Sequence, residues 1–146
     1  MLGNFTRKVS YFLQALHLLN RPLGLRVFAT ARSASQLADL KSLGIETFSL
    51  DVTSRTQIAE VVADIATRTG GTLDILVNNA GRSSDVAALD ESDAELHAVF
   101  ETNIFAVMYM VQGFANLLIK AKGTIVNIGS IGAVIPVTFA CTFYFK

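Results

Sequence analysis

An α/β fold built on a doubly wound parallel sheet follows from three features of this 146-residue chain. From Leu23 onward, short β-rich runs alternate with stretches of helical periodicity. The β-rich runs are almost purely apolar, Leu73–Val77 above all, as strands covered on both faces are. Their carboxyl ends collect polar residues and glycine, at Thr30-Ala31-Arg32, Leu50-Asp51-Val52, Asn78-Asn79-Ala80-Gly81 and Ile128-Gly129-Ser130. Parallel α/β sheets bind ligands at that end of their strands. Right-handed crossovers leave few topologies for such a pattern, and the Rossmann-like doubly wound sheet leads them.

The elements follow in order. Leu25–Thr30 reads as a buried strand, and Ser33–Leu43 as a helix with Leu37, Leu40 and Leu43 at helical spacing and Gly44 as its stop. Ser33 and Gln36 have the spacing of a capping box, in which hydroxyl and amide satisfy orphan N–H groups. Thr47–Val52 is the second strand. Ser54 and Gln57 repeat the cap before a helix carrying Ile58, Val61, Val62 and Ile65 on one face, ended by Gly70-Gly71. Leu73–Val77 is the third strand, followed by a loop from Arg82 to Glu91. Ser92 and Glu95 form a third capping box, opening a long helix to about Ala121 with Leu96, Phe100, Val107 and Phe114 as its core stripe. Thr124–Ile128 closes the series as a fourth buried strand.

Composition narrows the functional classes. With 51% hydrophobic and 16% charged residues the chain has ample core, and intrinsic disorder is excluded. Twelve basic against twelve acidic residues give no field to grip nucleic acid or an anionic bilayer. Cys141 stands alone, and no Cys/His cluster offers a structural metal site; a reducing, cytoplasmic setting is expected. No ordinary membrane-spanning helix is expected. Arg7, Lys8 and Val9–Leu13 have a faint signal-peptide character, but Gln14, His17 and Asn20 break the apolar run. His17 and His97 lack partners at ligand spacing, Met108 and Met110 read as core or dimer contacts, and the acids from Asp85 to Glu101 read as a solvated loop and helix start.

Four motifs carry a family resemblance across roughly residues 24–135: Leu50-Asp51-Val52-Thr53, Leu73–Gly81 with its Asn-Asn-Ala-Gly segment, Thr102-Asn103-Ile104-Phe105, and Gly123–Ser130. In that order and spacing they resemble the short-chain dehydrogenase/reductase family. Val27–Arg32 and Asn79–Arg82 look most like the fungal NADPH-dependent 1-acyldihydroxyacetone-phosphate reductases in it. The resemblance implies an oxidoreductase that passes a hydride between a nicotinamide and the carbonyl of a lipid-like or small substrate. It also implies a setting at the endoplasmic reticulum or lipid droplets, and a homo-oligomer remains open.

The same resemblance assigns roles, each beside a plainer reading. Asn79, Ala80 and Gly81 would let ribose and nicotinamide lie against the backbone, or form an ordinary strand-ending turn. Asp51, beside Val52, would accept from the adenine amino group, or cap the helix near Thr53 and Ser54. Ser130 would hydrogen-bond the substrate carbonyl, or simply end a strand. Arg32 follows a strand end without an acid; an arginine there favours the 2′-phosphate of NADP through charge-assisted hydrogen bonds, and is otherwise a solvated surface residue. Asn103 is the physical oddity, an amide on the stripe its helix should bury. An unpaired buried amide costs about 1–3 kcal/mol, so either a neighbouring backbone satisfies it or, as the resemblance implies, it positions a water in a proton relay.

Two departures from the family pattern stand out. No glycine lies between Gly3 and Gly24, so residues 1–23 form an atypical segment in place of a first strand and glycine-rich phosphate turn. The family tyrosine falls on Phe143; Tyr144 is one residue late, and Lys146 follows it by two positions instead of four, within an atypical tail over 136–146. The expectation is an incomplete Rossmann-like domain over 24–135, truncated at both ends of the family pattern. It would be NADP-linked and impaired in turnover. The alternative is a non-catalytic module or pseudoenzyme that pairs with a full-length relative.

Overall fold

The computed structural model describes residues 24–130, apart from 85 and 88, together with residue 134. The expected N-terminal segment 1–23, the tail 136–146, and with it Tyr144 and Lys146, lie outside the described residues. The chain divides into two compact units, Met1–Asp51 and Val52–Lys146.

In the first unit, β1 (Phe28–Ala31) and β2 (Glu46–Ser49) pair in parallel with Ala31 opposite Ser49. Their crossover starts as a 3-10 turn (Ala34–Leu37) and becomes helix α1 (Ala38–Ser42). The expected Ser33–Gln36 capping box does not form: Ser33 Oγ accepts from the N–H of Ser35 at 3.3 Å. The tighter winding of the 3-10 turn brings the nearer amide to the hydroxyl. Leu37, Leu40 and Ile45 close over Ala29, whereas Leu43, the third leucine at helical spacing, is exposed. Gly44 ends the helix at φ +80°, a backbone that disfavours a β-carbon.

The second unit opens with α2 (Arg55–Thr69), capped as expected by Ser54 Oγ accepting from Gln57 N–H at 3.3 Å. Ile58, Val61 and Ile65 are its buried face, and Gly70 closes it at φ +69°. Strand β3 (Ile75–Asn78) follows, then α3 (Asp93–Phe100), a π turn (Glu101–Phe105) and α4 (Ala106–Ala121), and finally β4 (Thr124–Asn127). Strands β3 and β4 pair in parallel with Asn78 opposite Asn127. Gly123, which leads into β4, lies so close to β3 that a β-carbon there would meet Leu73 O at 2.6 Å and Asp74 O at 2.8 Å.

The long helix forms over Asp93–Ala121 as expected, with one π turn at Glu101–Phe105, but its buried stripe differs from the expected one. Its buried residues are Val99, Asn103, Ala106, Met110, Phe114, Leu117 and Leu118; of the predicted set only Phe114 is fully buried, and Leu96 is exposed. β4 is not a buried strand, for Ile125 is 41% and Val126 36% exposed, and Ile75 on β3 is likewise exposed. The apolar composition marks strands suited to burial, while these faces carry no cover among the described residues. Among the described residues the strands form two parallel pairs, β1–β2 and β3–β4. Helix Asp93–Ala121 contains an 18-residue stretch of mean hydropathy 1.5, long and apolar enough to cross a bilayer by length and composition alone; here α4 packs on α2 and β3.

Candidate functional site

At the carboxyl end of β3 the chain turns through Asn79, Ala80 and Gly81, and both ends of this turn are fixed by asparagine. On the entry side, Asn78 Nδ2 donates to Asn127 Oδ1 at 2.9 Å, tying β3 to β4. On the exit side, Asn103 and the Arg82 backbone close a reciprocal pair: Arg82 N–H donates to Asn103 Oδ1, and Asn103 Nδ2 donates to Arg82 O, each at 2.9 Å. That is where the buried amide, 6% exposed, finds its partners. Asn103 lies within the π turn on the inner face of the helix, between Val99 and Ala106.

Arg82 is also held by its side chain. Its Nε donates to Glu95 Oε1 at 2.8 Å and its Nη2 to Oε2 at 2.6 Å. Hydrogen bonds from the guanidinium, helped by its charge, hold Glu95 below the ordinary carboxylate range and raise Arg82 in return; the slight desolvation of each opposes this. The Ile128 N–H donates to Asn78 O at 2.9 Å, so Ser130 leaves β4 at the same end of the pair as Asn79–Gly81. Within the second unit, then, Asn79, Ala80, Gly81, Asn103 and Ser130 share one end of the β3–β4 pair. Val52 lies in the turn that leads into α2 of this unit.

The first unit brings together Arg32 and Asp51. Leu50 N–H donates to Ala31 O at 2.9 Å, and Ser49 Oγ donates to Arg32 O at 3.3 Å, so both residues stand at the carboxyl end of the β1–β2 pair. Arg32 is exposed. Asp51 is half-buried and engaged in an interaction of its own.

Sequence reasoning missed Arg82, Glu95 and Asn127. Arg82 and Glu95 are separated by a loop, and the Ser92-x-x-Glu95 spacing already gave the glutamate a local employment as a cap. Arg55, also missed, holds α2 to α4 by donating to Gln112 Oε1 at 3.2 Å and lying 4.0 Å above the ring centre of Tyr109. Chemically, the first unit offers a guanidinium to an anion at its strand end. The second offers a small-residue ledge to a flat ring, with a hydroxyl at the adjacent strand end.

Comparison with known proteins settles the family. A family model described as short chain dehydrogenase matches residues 18–144. The chain belongs to that family. Short-chain dehydrogenase cctT of Talaromyces islandicus is 47% identical over 109 residues, 74% of this chain and 38% of its own length. The NADPH-dependent 1-acyldihydroxyacetone phosphate reductase of Schizosaccharomyces pombe is 35% identical over 120 residues, 82% of this chain and 40% of its own length. Among solved structures, a variant of actinorhodin polyketide ketoreductase with NADPH superposes with a TM-score of 0.74 at 33% identity, covering 84% of this chain and 50% of that one. This short-chain dehydrogenase chain thus spans about two fifths of the length of the curated relatives it matches. Its fold is an incomplete Rossmann fold, and the two strand–helix–strand units are its parts.

Proposed function

We propose that this chain carries the dinucleotide-facing part of an NADPH-linked short-chain oxidoreductase whose reaction reduces a carbonyl of a lipid-like or small substrate. The observation that carries the reading is the Asn79–Gly81 turn, fixed at one end by Asn78–Asn127 and at the other by Asn103–Arg82, with small exposed Ala80 between them. Such a ledge lets a ribose and nicotinamide approach the backbone. Arg32 would take the 2′-phosphate and Asp51, beside Val52, the adenine amino group. Both fit as donor and acceptor at one strand end; nothing in residues 24–130 supplies the glycine-rich pyrophosphate turn.

A bound reduced nicotinamide supplies the hydride. The chain's own residues orient the reaction: the Ser130 hydroxyl donates to the substrate carbonyl oxygen, and Asn103 fixes the ledge. An asparagine amide has two lone pairs and two N–H bonds, so Asn103 retains one of each for a relay water after serving Arg82. With Phe143 at the tyrosine position, the general-acid contribution, typically about 10²–10⁴ in rate, would be lost. Purified chain therefore binds NADPH in preference to NADH but gives no measurable ketone-dependent NADPH oxidation. A fluorescence titration and an absorbance assay test both halves. Robust turnover abolished by Ser130→Ala overturns the impairment, and equal affinity for the two coenzymes overturns the NADP assignment.

A further inference from the structure

The capping box at the start of α3 is only half built. Ser92 Oγ accepts from Glu95 N–H at 3.2 Å, but the Glu95 carboxylate does not return to its own helix. Both of its oxygens go to Arg82, across the loop. A bidentate fork of this kind fixes orientation as well as distance. Because Asn103 already holds the Arg82 N–H and C=O, the residue that follows Gly81 is clamped through both backbone and side chain.

We propose that Glu95, acting through Arg82, is a positioning residue that sets the exit of the Asn79–Gly81 turn for the dinucleotide it receives; this rests on the reading of that turn given above. The pair is 43% exposed on the arginine side and 31% on the glutamate side, so its contribution to global stability is small. Its effect belongs to the loop. A turn containing alanine and glycine opens locally at low cost, and a fork at its exit restricts that opening. The carboxylate thus serves turn geometry in place of helix capping.

The test compares the full 146-residue chain with Glu95→Gln, Arg82→Lys and Ser92→Ala, reading amide hydrogen exchange over residues 79–83 and NADPH affinity. Glu95→Gln weakens the fork and Arg82→Lys keeps the charge without it. Both should speed exchange in the turn and weaken NADPH about two- to fivefold, with the melting temperature little changed. Ser92→Ala removes the cap and keeps the fork; it should lower the melting temperature while the turn stays protected. Unchanged exchange in Glu95→Gln, or the same acceleration in Ser92→Ala, overturns the proposal. If wild type shows no saturable NADPH binding while Glu95→Gln still loosens the turn, the dinucleotide reading falls and the geometric role of Glu95 stands.

Discussion

Asn103 shows how far a single residue can be read before its partners are known. Its placement on an apolar stripe demanded a hydrogen-bonding solution, and the solution is the backbone of Arg82. Asn103→Leu, of similar bulk, strands a buried N–H and C=O and should cost about 2–4 kcal/mol in urea unfolding. The Arg82–Glu95 fork carried no comparable signal, because a surface pair across a loop leaves no trace in periodicity. Its pH dependence follows from the lowered Glu95 value. The contribution is complete above the ordinary glutamate pKa of about 4.3 and disappears as pH falls through the lower folded value. Glu95→Gln should therefore lower the melting temperature slightly at neutral pH, where the contribution is complete, and converge with wild type as pH falls, which flattens the acid limb of the profile. Lys122, the one non-glycine residue with positive φ among the described residues, at +52°, predicts the opposite kind of change. Lys122→Gly should stabilise by about 1 kcal/mol, read as a shift in urea midpoint.

At the scale of elements, caps and stops were the most legible features. Ser54 and Ser92 accept from the third residue onward, because that spacing alone brings a hydroxyl to an orphan amide. Ser54→Ala should cost about 1 kcal/mol of stability, visible as a lower melting temperature. Ser33 follows the same spacing yet bonds Ser35, since nothing in the sequence distinguishes a 3-10 start from an α start. The stripe of the long helix was less legible: apolar residues lie on more than one of its faces, so Leu96, Phe100 and Val107 compete with Val99, Ala106 and Met110, and packing buries the second set. Packing imposes its own glycine at the join of α4 and β4. A β-carbon on Gly123 would press on two carbonyl oxygens of the chain leading into β3, so Gly123→Ala should destabilise by about 2 kcal/mol or more.

For the whole molecule, class and family were readable because strand–helix alternation and strand-end chemistry survive in the sequence without any knowledge of contacts. Burial was not. The apolar runs of β3 and β4 state what these strands can tolerate, while Ile75, Ile125 and Val126 stand exposed, without cover among the described residues. Of the site, only positions were legible: Arg32 and Asp51 stand at the carboxyl end of one strand pair, and Asn79–Gly81, Asn103 and Ser130 at that of another. The claim beneath the functional reading is that the Asn79–Gly81 turn receives a dinucleotide. Titrating NADPH into isotope-labelled chain and following backbone amide shifts residue by residue tests it most directly. The account predicts saturable shifts at Asn79–Arg82 and Ser130. Shifts confined to other surfaces, or no saturable shift in the turn, would contradict it.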